Sequence, residues 1–185
     1  MKITFILLFL MSYSVWAFES ISQKDIVSGQ SVELNANTLK ANKATVLLFL
    51  SARCPCSNSH VSEIKDLNTL FKDQIRFIGI HSNQNENALE SKKYFTQIEL
   101  GFPVLEDSDA IIADRYKAFK TPHVFVLDSR GEVIYRGGVS SSQHFDSHVK
   151  KYLRDVLTDI NQGQAPRMSE SKSLGCVILR TQESL

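Results

Sequence analysis

Cysteine is scarce in this sequence: three residues in 185, at Cys54, Cys56 and Cys176. The number is odd, so in an oxidising compartment at least one thiol is left for exchange, metal or a partner. Charge of one sign is lacking too. The 21 lysines and arginines nearly match the 20 acidic residues, which removes the electrostatic case for nucleic acid or an anionic membrane surface. No glycine-rich phosphate loop occurs, and Gly137-Gly138 reads as a strand end. Asp and Glu form no convincing acid–base pair, no internal repeat is visible, and no run beyond the N-terminus is long enough to span a bilayer.

The N-terminus has its own pattern. Lys2, the apolar run Ile3 to Met11 and the ending Val15-Trp16-Ala17 make the n-region, h-region and small-residue cleavage site of a secretory signal peptide. The expectation is cleavage after Ala17, export with a periplasmic destination, and no stable membrane insertion afterwards; an uncleaved anchor is the alternative. The remaining chain suits one domain over 18–163, long enough for a full core without stapling disulfides. A mostly polar tail, 164–185, follows and carries Cys176 in its apolar island Leu174 to Leu179. The sequence carries no signal for an oligomer.

Hydrophobic patterning gives the element order. Phe18 to Gln30 is a polar lead-in, Ser31 to Asn35 a short strand, and Ala44 to Leu50 a continuous apolar run suited to a strand buried on both faces. Val61, Ile64, Leu67, Leu70 and Phe71 recur at helical spacing, and Ile75 to His81 is a second buried strand. Glu86 to Ile98 reads as a helix packing through Ala88, Leu89, Tyr94, Phe95 and Ile98. Phe102 to Leu105 is a short strand, and Asp109 is the expected N-cap of a helix to Phe119. Asp128-Ser129-Arg130-Gly131 joins a hairpin, and His144 to Ile160 reads as the last helix. Strand–helix alternation followed by a hairpin predicts an α/β fold, a mixed central sheet with helices on both faces.

The chemistry gathers at ATVLLFLSARCPCSNSH, residues 44 to 60. A buried strand breaks into Ser51-Ala52-Arg53 and delivers Cys54, Pro55 and Cys56 to the start of an amphipathic helix. The unpaired N–H groups and partial positive charge of a helix start favour a thiolate, Arg53 adds a cation next door, and Pro55 suits the first helical turn. Cys54 is therefore the expected nucleophile.

This motif, with Thr121-Pro122 ahead of a strand and hairpin, resembles the thioredoxin fold. The segments FLSARCPCSN, IRFIGIHSN, FPVLED, TPHVFVLD and VIYRGGV are similar to those of exported redoxins related to the alkyl hydroperoxide reductase and thiol-specific antioxidant group. The resemblance implies a cis bond before Pro122, a substrate backbone held beside Thr121-Pro122, and thiol–disulfide exchange on protein or small-molecule substrates with no bound cofactor. One departure matters: thioredoxins space their cysteines three apart, whereas Ser57 stands there and Cys56 comes at two. Positions two apart face nearly opposite sides of a helix, so a Cys54–Cys56 bridge needs non-helical backbone. Cys176 on the tail is the other candidate to resolve, or it forms a structural bridge.

Two other readings stay open. Peroxiredoxins carry a hydroxyl residue three before the reactive cysteine and a proline four positions earlier; Ser51 fills the first place, but Leu47 stands in the second. A copper chaperone, similar to the thioredoxin-fold chaperones of cytochrome oxidase assembly, would use Cys54, Cys56 and His60 or His123 as soft-metal ligands. His144 and His148 form a further i, i+4 pair, and His81 closes a strand.

Overall fold

A computed structural model describes residues 18–180; the expected signal peptide, 1–17, lies outside the described residues. The centre is a five-stranded sheet in the order β5-β4-β3-β7-β8. It is made of β3 (Ala44–Phe49), β4 (Ile75–His81), β5 (Val104–Glu106), β7 (His123–Asp128) and β8 (Val133–Gly137). β3, β4 and β5 run parallel, and β7 and β8 add antiparallel pairings. The uninterrupted apolar run of β3 is explained by its central place, since every one of its residues is buried.

Alternation along β3 divides the core. Ala44, Val46 and Leu48 face one cluster with α3 (Val61–Phe71), Phe95 of α4 (Ala88–Ile98) and α6 (Tyr152–Asn161). Leu47 and Phe49 face the other with α1 (Ala36–Lys40) and α5 (Ile111–Tyr116). The expected mixed sheet with helices on both faces is what forms. No helix among the described residues is long and apolar enough to cross a membrane.

Local differences have identifiable causes. The lead-in holds a strand, β1 (Ile21–Lys24), paired antiparallel with β2 (Ser31–Leu34). The last helix starts at Tyr152 rather than His144, because side chains capture the preceding backbone. Ser140 Oγ accepts from Ser142 N–H, Ser142 Oγ from His144, Ser59 Oγ from Phe145, and Ser141 Oγ from Lys150. His144 and His148 are thus not one helical turn apart. Ala110, not Asp109, caps α5, in a left-handed conformation, and the Asp107 carboxylate accepts the Ile112 and Ala113 N–H groups at 3.0 Å. Leu89, expected to pack, is 78% exposed.

α6 is tied to α3 by a buried carboxylate: Arg154 donates to both oxygens of Glu63, at 2.8 and 2.7 Å. Breaking such a pair leaves an uncompensated buried charge. Arg154→Ala is expected to lower the unfolding free energy by about 3 kcal/mol in urea titration; a loss under about 1 kcal/mol, as for a surface pair, would contradict this.

Candidate active site

The cysteine loop begins where β3 ends. α2 (Pro55–Ser59) starts with Cys54 as N-cap, in extended conformation, and with Pro55 in the first turn. The Ser57 N–H donates to the Cys54 sulfur at 3.5 Å, so this sulfur does what a capping oxygen usually does. α2 and α3 meet at His60, which is buried. Its Nδ1 donates to the Cys56 carbonyl at 2.7 Å, leaving Nε2 to accept from the Ser140 hydroxyl at 2.8 Å. Burial lowers the His60 pKa below the usual imidazole value, so it holds the helix start as a neutral ring.

The Thr121-Pro122 peptide is cis, as the resemblance implied. β6 (Lys120–Thr121) precedes it, and the Thr121 carbonyl lies 3.0 Å from the Cys54 sulfur, accepting from the thiol. The tail completes the site. β9 (Cys176–Val177) pairs antiparallel with β6, Cys176 opposite Thr121. The three free cysteines bring their sulfurs within 4.8 Å of one another. Among the described residues this cluster includes neither His60 nor His123, the histidines that the alternative copper reading would use as ligands. His123 instead lines a cavity of about 380 Å³ with Tyr116, Arg136 and Lys172; its Nδ1 has no partner, and burial pushes its pKa down to about 4.

The three thiols differ sharply. Burial alone would raise Cys54, but hydrogen bonding from Cys176 and from the Ser57 backbone N–H holds it down to about 7. Burial raises Cys56, with the Cys54 charge adding to it. Burial and then the Cys54 sulfur push Cys176 up to about 12. Cys54 is thus the thiol that ionises near neutral pH, flanked by two that stay protonated there.

Arg53, expected to stabilise the thiolate, is exposed and reaches Glu90 at 3.9 Å. The loop is held instead by a residue the sequence reading passed over. Glu86, with a buried side chain, accepts from the Ser51 hydroxyl and from the Ala52 N–H at 2.9 Å, with His81 Nε2 at 3.8 Å. Only its position just after a buried strand marked Glu86 in the sequence. Ser51, the hydroxyl of the peroxidase reading, is thereby directed to Glu86, and Leu47 is buried in the core.

The AhpC/TSA family profile matches residues 17–136. The chain is similar to the thiol-disulfide oxidoreductase YkuV of Bacillus subtilis, 20% identical over 128 residues, covering 67% of this chain and 86% of that one. Among solved structures it is similar to an uncharacterized conserved protein from Geobacillus kaustophilus, with a TM-score of 0.79, 23% identity, and 90% and 91% of the two chains covered. A secreted disulfide oxidoreductase of Mycobacterium tuberculosis aligns with a TM-score of 0.51 and 20% identity over 61% of this chain and 79% of that one. These likenesses establish a thioredoxin-like fold.

The acidity of Cys54 is directly measurable. Because the thiolate is the nucleophile, iodoacetamide alkylation of Cys54 is expected to rise with pH through a midpoint of about 7 and then level off. Cys176→Ala, which removes a hydrogen bond to the thiolate, moves that midpoint upward. A midpoint at the ordinary thiol value in the unsubstituted protein would contradict the site geometry.

Proposed function

The chain belongs to the AhpC/TSA family, and from that footing we propose an exported thiol–disulfide oxidoreductase that attacks through Cys54 and resolves through Cys176. The observation that carries this reading is the set of three neighbouring sulfurs in which Cys54 alone is acidified, to about 7. The Cys54 thiolate attacks one sulfur of a substrate disulfide, forming a mixed disulfide and expelling the other sulfur as a thiolate. Once Cys54 is a neutral disulfide, its charge no longer holds the Cys176 proton in place. Cys176 then bonds to the Cys54 sulfur, and the substrate sulfur leaves with the Cys176 proton. An external dithiol reduces the Cys54–Cys176 bridge to two thiols.

Cys176 is favoured over Cys56 as resolver by geometry. It approaches from a separate strand opposite Thr121, whereas Cys56 lies within the first turn of α2, which a Cys54–Cys56 bridge would have to unwind. Export is supported by the N-terminal pattern and by the secreted relative.

The test is reduction of insulin disulfides with dithiothreitol as electron source. Cys54→Ser is expected to reduce the rate to that of dithiothreitol alone. In the absence of dithiothreitol, Cys176→Ser keeps the first attack and accumulates a Cys54–substrate adduct visible by mass spectrometry. Full activity of Cys54→Ser would sink the proposal.

The sulfur cluster also supports a second reading, a Cu(I) carrier, because three thiolates are a soft-donor set. On that reading the reduced protein binds one equivalent of Cu(I), lost in Cys54→Ser/Cys56→Ser; no binding by the reduced wild-type protein rejects it.

A further inference from the structure

The edge beside Thr121-Pro122 is covered by the chain's own tail. β9 runs antiparallel to β6 with Cys176 opposite Thr121 and Val177 opposite Lys120. The Ile178 N–H donates to the Phe119 carbonyl at 2.9 Å, and the Ser173 hydroxyl to the Pro122 carbonyl at 2.9 Å. Gly175 lies flat against the Thr121-Pro122 peptide. A Cβ there would collide with the Thr121 carbonyl oxygen and stand 2.8 Å from its carbon and 3.3 Å from the Pro122 nitrogen. Glycine is what permits this approach, and the approach delivers the next sulfur, Cys176, to Cys54.

We propose that residues 174–178 are a built-in substrate mimic, and that the edge beneath them binds an extended polypeptide with glycine immediately before its reactive cysteine. The inference rests on the reading of Cys54 as the exchanging thiol. Each backbone N–H and C=O along Lys120–Thr121 pairs with one neighbouring strand at a time, so an incoming strand and β9 exclude one another. Backbone pairing supplies affinity, and the lack of room for a Cβ supplies the choice of glycine.

The tail is built to yield and return. Its ladder is only two residues long, and Val177 and Leu179 are 58% and 50% exposed. Its side-chain hydrogen bonds and ion pair lie to either side. Ser171 Oγ pairs with Tyr135 Oη at 2.7 Å and accepts from Gly138 N–H at 3.1 Å, while Arg180 meets Asp114 at 2.7 Å. Ile178, 2% exposed, is the apolar anchor. While substrate occupies the edge, its cysteine takes the place of Cys176 and forms the mixed disulfide with Cys54. The returning strand displaces the substrate backbone as Cys176 displaces the substrate sulfur, so strand exchange and disulfide exchange are one event. The external dithiol then resets the pair.

The test reads Cys54 alkylation in a Cys56→Ser/Cys176→Ser background, well above the Cys54 midpoint, so no turnover is needed. Adding Gly175→Val is expected to lift the tail and raise the alkylation rate about tenfold, the gain when a site free a tenth of the time becomes fully free. Gly175→Ala, the milder lesion, moves it in the same direction. The synthetic peptide LGSVI should slow alkylation of the Gly175→Val protein back toward the parent rate, whereas LVSVI leaves it unchanged. Equal rates with and without the glycine substitutions, or equal protection by the two peptides, would overturn the proposal. If the pattern holds in a protein whose insulin reduction does not depend on Cys54, the exchange reading fails and the docking edge stands.

Discussion

Cys54 is 2% exposed, and a charge on its buried sulfur survives only where hydrogen bonds replace its hydration. That requirement organises the site. The end of β3 and the start of α2 supply the sulfur and the Ser57 N–H. The tail supplies Cys176 as donor, and the segment before Pro122 supplies the Thr121 carbonyl, which accepts from the neutral thiol. Three segments far apart in sequence thus surround one sulfur.

The surroundings serve that convergence. Glu86 fixes Ser51 and Ala52 just before the cysteines, and neutral His60 fixes the carbonyl of Cys56 just after Cys54. Both are charged or polar side chains buried with partners, the condition under which burial is tolerated. The Glu63–Arg154 pair locks α3, the continuation of the cysteine helix, against α6. A rigid cysteine loop thus faces a lightly held tail strand. The contrast suits a reaction in which one sulfur stays still while its partner comes and goes.

Much of this was legible in the sequence because it is local. The apolar run Ala44 to Leu50 announced a central strand, Pro55 a helix start, and Asp128-Ser129-Arg130-Gly131 a hairpin; all three hold. Thr121-Pro122 was placed by resemblance and is cis. What escaped is long-range or carried by side chains. Periodicity cannot show that Cys176 pairs with Thr121 across some fifty residues, nor that Glu86 turns back to Ser51. The apolar stripe from Phe145 to Val149 looked helical, yet serine hydroxyls had taken its backbone. The third sulfur is that of Cys176, the tail candidate named from the sequence, and the histidines of the copper reading are not part of the cluster.

The central claim is that the tail sulfur is the redox partner of Cys54. Non-reducing peptide mapping of the oxidised protein, with free thiols labelled before digestion, addresses it most directly. The account predicts a Cys54–Cys176 link with Cys56 labelled. A Cys54–Cys56 link with Cys176 labelled would contradict it, placing the exchange within the helix start and leaving the tail a covering strand without a redox part.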